Sequence, residues 1–293
     1  MLARRLKNVS LCFALAALSL PVDAQTKAHP LWKVESPSNT IYLLGSIHLL
    51  KASDYPLPAV IETAFSNAQV VAFETDISPA DTASAQAKLL TKGGLPEGET
   101  IKDELSPSTY AALGTYMVHA GLPMELVENV KPVMAGMILD VIELQKLGLD
   151  PARGLDQHFY EQAQQSGKTI IPLEPLDFQI DLLTGFSKSE GELFLKDTIT
   201  EMDDTEKNFD QVVAAWKTGD SVKLEKFLND ALADAPVIYK RLLTDRNQQW
   251  LPKIEGFVAS GKPTIVIVGA GHLVGKGGIV NLLKGHGLKV TQL

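Results

Sequence analysis

The chain has 293 residues, 45% of them hydrophobic and 21% charged, with a formal net charge of −8 and a single cysteine. That length and apolar share are enough for one large core, or a core with an inserted subdomain. The acidic balance argues against nucleic acid or an anionic membrane surface as a partner, and one cysteine excludes disulfides and cysteine-based zinc sites.

Residues 1–24 read as a signal peptide. Arg4, Arg5 and Lys7 form a basic start, residues 11–20 a short apolar run, and Val22-Asp23-Ala24 a small-residue cleavage site. Processing there leaves 25–293 as a single domain, exported to the periplasm or beyond, with a net charge of −10 and without Cys12. No later apolar run reaches the length of a membrane span, so no membrane contact is expected after processing. Any metal must then be held by imidazole and carboxylate.

Beyond the leader, residues 31–35 suit an edge strand, 36–39 a turn, and 40–44 a buried strand. A helix at 57–68 and a second buried strand at 69–74 complete a strand–helix–strand crossover. Helical patterning then holds over about 78–148, with segments at 82–90, 107–119 and 132–147. A helix at 154–166 leads into a strand at 168–174, and helices return over about 176–260. The clearest runs from 236 to 260, with a kink expected at Pro252. A strand at 264–268, a helix at 277–284 and a strand at 288–293 close the chain. The class is α/β: a central mixed sheet flanked by helices, with large helical insertions at about 78–148 and 176–260.

Two of these strands end alike. Residues 40–49 and 264–273 each contain an apolar run, then Gly-x-x-His, then Leu: Gly45 with His48, and Gly269 with His272. Glycine permits a sharp turn, and the imidazole lands just past the strand, where open α/β sheets collect their ligands. Glu74 and Glu174 end two other strands. If the four strands are neighbours running one way, two imidazoles and one or two carboxylates meet at one sheet edge. That set suits Zn²⁺, Mn²⁺ or Fe²⁺ with a position left for water, and Glu74 serves as ligand or as general base. Glu174 has a competing use as a cap for the helix after Pro175.

Arg246 falls in the apolar stripe of the helix at 236–260, with Asn247 at its border. A guanidinium there needs a carboxylate partner or a substrate group to orient. Asp156 reads as a helix cap, and His29, His119, His158 and His286 receive no role. The glycine-rich run at 269–278 departs from phosphate-binding patterns, with Val274 where a dinucleotide fingerprint wants a small residue and Gly277 where a P-loop wants Ser or Thr.

The residues Leu44-Gly-Ser-Ile-His48, Phe73-Glu74, Gly154-Leu-Asp156, Leu173-Glu174, Arg246-Asn247 and Gly269-Ala-Gly-His272, in this order, resemble the TraB/GumN family. That family is related to the Tiki metalloproteases and, more distantly, to the erythromycin-esterase-like and ChaN-like proteins. The resemblance covers about residues 31–293. It implies an α/β fold with a helical insertion and paired Gly-x-x-His motifs. It also implies a glutamate after the second strand and, from the Tiki branch, divalent-metal-dependent peptidase activity. By position, His48 and His272 match the motif histidines, Glu74 the glutamate and Arg246 the helix arginine. The expected function is an exported metal-dependent hydrolase of peptides or small molecules. The rival, suggested by pheromone-shutdown relatives, is a non-catalytic protein that captures a peptide or signal in the same cleft.

Overall fold

The computed structural model describes residues 28–231 and 236–293, so the expected signal peptide lies outside the described residues. Six strands form one sheet: β1 (Leu31–Glu35), β2 (Thr40–Ser46), β3 (Val70–Phe73), β4 (Thr169–Pro172), β5 (Thr264–Gly269) and β6 (Lys289–Gln292). Their order across the sheet is β4-β3-β5-β2-β1-β6. The pairs β4–β3, β3–β5 and β5–β2 are parallel, whereas β1 runs antiparallel to both β2 and β6. The mixed α/β sheet expected from the sequence is therefore present. The crossover from β2 to β3 does not make them neighbours, because β5 inserts between them.

Burial explains why the central strands read as unbroken apolar runs. All of β3 is buried, and β5 is buried from Thr264 to Val268, because helices cover both faces. The outer strands β4 and β6 are only four residues long and partly exposed, which limits the pairing surface they offer. The main core gathers the sheet side chains with Phe65, Phe159, Trp216 and Trp250.

A second apolar cluster lies in the helical segments. Ile101, Leu113, Met117, Leu139 and Leu195 bury one another there, separately from the sheet core. The helix Pro132–Lys146 packs along Lys188–Glu201 to build it.

The segment expected as one helix at 236–260 differs in detail. A short helix Pro236–Tyr239 passes into a π-helical turn, Lys240–Thr244, and then into the helix Asp245–Ala259. The irregularity thus falls just before Arg246, and the helix continues through Pro252. Proline leaves the carbonyl four residues earlier unpaired. Here that residue is Gln248, which is exposed and can bond water, so the helix tolerates the proline. π-Turns shift the side-chain phase of the helix beyond them and recur at functional positions.

Candidate functional site

Register brings the four strand-end residues together. Ser46 pairs with Gly269, so the loops after β2 and β5 leave the sheet side by side. Phe73 lies between Ile267 and Pro172, and beyond them Glu174 N–H donates to the Glu74 carbonyl at 2.9 Å. His48, Glu74, Glu174 and His272 therefore share the C-terminal edge of four adjacent parallel strands.

Arg246 occupies the centre of this group with its guanidinium saturated. Nε donates to Glu174 Oε1 at 3.0 Å, and Nη2 donates to Glu174 Oε1 at 2.7 Å and to Glu74 Oε2 at 2.6 Å. Nη1 donates to the Leu242 carbonyl and to His272 Nε2, each at 3.0 Å. All five N–H bonds are thereby used. Trp250 supports the arrangement from one side, its ring 4.6 Å from the guanidinium carbon and its indole N–H 2.8 Å from Glu174 Oε2. Glu174 thus turns both oxygens to Arg246 and Trp250. Burial opposes the charge on Arg246, and the two glutamates outweigh it and raise the group further.

Glu74 faces two ways. Oε2 accepts from Arg246 and from Gln179 Nε2 at 3.1 Å, while Oε1 accepts the Gly269 N–H at 2.8 Å and stands 3.7 Å from His272 Nε2. Burial works to raise its carboxyl, but the positive field of His272, Arg246 and His48 prevails and lowers it to about 2.

The two imidazoles are anchored through the same atom. Asn247 Nδ2 donates to the carbonyls of His272 and Gly277, which fixes Asn247 Oδ1 as the acceptor for His272 Nδ1 at 2.6 Å. The His272 proton therefore sits on Nδ1, and the Nε2 lone pair faces the site. His48 Nδ1 lies 2.7 Å from Asp156 Oδ2, leaving its Nε2 on the inner side. A β-carbon built on Gly269 would stand 3.3 Å from Glu74 Oε1 and 3.7 Å from both His48 Nε2 and His272 Cδ2. The absent side chain leaves a cradle with three of the predicted groups on its rim.

Among the described residues, no group of three or more His, Cys, Asp or Glu side chains is placed so as to hold a metal ion. The donor types alone, two imidazoles and a carboxylate, are ones that a divalent cation takes. His48 Nε2, Glu74 Oε1 and the Cδ2 edge of His272 border the glycine cradle, and both Nδ1 atoms are held from behind, as metal-binding imidazoles are. Three carboxylates (Glu74, Glu174 and Asp156) also outnumber the nearby cations. Entry of a cation would require Arg246 Nη1 to release His272 Nε2 and His48, raised to about 9, to give up its Nε2 proton.

A cavity of about 380 Å³ opens over these groups. His48, Glu74, Arg246 and His272 form its polar floor, and Phe209, Val212, Leu224, Phe227 and Leu243 an apolar wall. A second cavity of about 230 Å³ shares His48 and Glu74 and continues past Ile77, Leu176 and Gln179. The polar groups thus sit where two cavities meet.

Acid stability reports on this geometry. Burial lowers His272 to about 4 from an ordinary 6.5, so its stabilising contribution is complete above 6.5 and drains away as pH falls towards 4. Glu74, ordinarily 4.5 and here about 2, extends the loss below pH 4.5. His48 acts in the opposite sense. Asp156 raises it to about 9, so its contribution is full below 6.5 and fades up to 9, weakened because 62% of the side chain meets solvent. Urea unfolding is expected to show a loss of roughly 1–3 kcal/mol between pH 7 and pH 4. A flat profile over that range would mean that His272 is not held neutral by burial.

Sequence reasoning missed Asp156 as a site residue and took it for a cap. It also missed Ser46, Gln179 and Trp250, whose only signal was proximity to the motif residues. The sequence matches the TraB/PrgY/gumN family over residues 30–292. It is 27% identical over 256 residues to YbaP of Escherichia coli (strain K12), described as uncharacterized, covering 87% of this chain and 92% of that protein. The YbaP of Shigella flexneri, described likewise, is 27% identical over 243 residues, covering 83% and 87% of the two chains. No solved structure matches.

Proposed function

The chain belongs to the TraB/PrgY/gumN family, and from that premise we propose that it is an exported, divalent-metal-dependent hydrolase acting on peptides. The observation that carries this reading is the cradle at Gly269, bordered by His48 Nε2, Glu74 Oε1 and the His272 ring. A bound Zn²⁺, Mn²⁺ or Fe²⁺ would polarise a carbonyl and lower the pKa of a water.

The chain's own residues divide the remaining work. His48, His272 and Glu74 are the residues that would hold the cation. Glu74, ionised down to about 2, is suited to be a ligand and is a weak base at neutral pH. Glu174 holds Arg246 in place and does not approach the cradle. Arg246 has no spare N–H while His272 Nε2 accepts from it. Once that nitrogen is engaged elsewhere, the Nη1 proton is free to meet the oxygen of a substrate carbonyl and the charge that develops on it. The apolar wall over a polar floor suits a peptide with a bulky apolar side chain beside the reacting bond. Export rests on the leader-like residues 1–24.

Elemental analysis of purified protein, together with peptide turnover before and after chelation, tests this reading. The expected result is one equivalent of metal and hydrolysis that stops on chelation and returns with the ion. The variant His48→Ala/His272→Ala should have neither. A protein that carries no metal, cleaves nothing and binds peptide equally well after both treatments would be the non-catalytic receptor instead.

A further inference from the structure

The helix Leu155–Gln165 is fastened to the end of β2 by three separate contacts. Leu155 N–H donates to the Ile47 carbonyl at 3.0 Å. Gly154 packs so closely that a β-carbon would stand 2.1 Å from the His48 carbonyl oxygen. Its φ of −58° suits any residue, so space and not backbone conformation demands glycine there. Asp156, in the first helical turn, directs both oxygens back to β2. Oδ1 accepts from Ser46 Oγ at 2.9 Å, and Oδ2 meets His48 Nδ1 at 2.7 Å.

We propose that Asp156 is a positioning residue, holding the His48 ring with its Nδ1–H turned towards the carboxylate so that Nε2 presents to the cradle at Gly269. This rests on the reading of the site as a cation-dependent hydrolase. His272 is buried and needs little guidance, because the Trp250 ring packs against it at a tilt of 43° and Asn247 grips Nδ1. His48 is different: most of its side chain is exposed, and Asp156 is what fixes its rotation. The two anchors also differ in kind. A carboxylate behind His48 makes its Nε2 the better electron donor, whereas the amide behind His272 is neutral. The Gly-Leu-Asp sequence at 154–156 thereby has a physical reason. Glycine allows the approach, leucine docks the helix by burying its side chain in the main core, and aspartate aims the ring.

The test compares wild type with Asp156→Asn in the whole folded protein, using two readouts. Without metal, an imidazole Nδ1–H bonded to a carboxylate gives a downfield proton resonance protected from exchange, assigned through its loss in His48→Gln. With metal, Zn²⁺ and Mn²⁺ are titrated in competition with a chromophoric chelator. The expected result is unchanged circular dichroism, a missing resonance and affinity weakened about 10–100-fold. Asp156→Glu restores the carboxylate and is expected to regain part of that affinity, which a purely structural loss would not allow. Retention of the resonance in Asp156→Asn, or affinity that stays at the wild-type value once the resonance is gone, overturns the proposal. Wild-type protein that takes up neither ion defeats the hydrolase reading on separate grounds. The resonance alone then decides the role of Asp156.

Discussion

Arg246→Met is expected to destabilise the protein by about 3–5 kcal/mol, the usual consequence of stripping one partner from a buried ion pair. Methionine fills similar space but supplies none of the five N–H bonds, so Glu174 keeps only Trp250 and Glu74 loses its shortest contact. Glu174 is 5% exposed, so water cannot take over. Both carboxyls must then bind protons or remain charged without a partner, and either outcome favours the unfolded chain. Denaturant unfolding reads the loss directly, and the thermal midpoint should drop by on the order of 10 °C. Glu174→Gln leaves one acceptor oxygen, so its NH2 must face either Arg246 or the Trp250 N–H; with one partner still bonded and no carboxylate stranded, it should cost less, about 1–3 kcal/mol. Arg246→Met unfolding within about 1 kcal/mol of wild type would remove the claim that the guanidinium holds the site together.

Gly269→Ala should separate fold from function. The backbone at Gly269 has φ of −48°, open to any residue, and its N–H bond to Glu74 does not need glycine. An added methyl would lie 3.3 Å from Glu74 Oε1 and at ordinary contact distance from the two imidazoles. Side chains can yield a few tenths of an ångström, so stability should change by no more than about 1 kcal/mol. The methyl fills the cradle itself, however. Displacing ligand groups on the ångström scale is worth about 10²-fold in rate, so turnover should fall at least that far, with metal uptake reduced in step. Full metal binding by this variant would place the cation site elsewhere.

Much of the architecture was legible because each signal was local. Apolar runs before Gly45, Glu74, Glu174 and Gly269 marked strands, and the paired Gly-x-x-His pattern marked where two of them end. The insertion of β5 between β2 and β3 was not legible, since nothing in either strand names its neighbour. The role of Asp156 was hidden because an acidic residue in a first helical turn already has a sufficient local explanation. Arg246 was visible as a charge in an apolar stripe. Its two carboxylate partners lie 72 and 172 positions away, and only the folded register reveals them. The π-turn before Arg246 also escaped, because propensity does not distinguish one extra residue in a helical turn.

The placement of β5 between β2 and β3 has a consequence for when chemistry becomes possible. His48 and Glu74 can approach one another only across a strand whose Gly269 lies 195 positions beyond Glu74. Contacts this distant in sequence form late and slowly. The flanking strands therefore carry His48 and Glu74 before the backbone that joins their two halves of the sheet is in place.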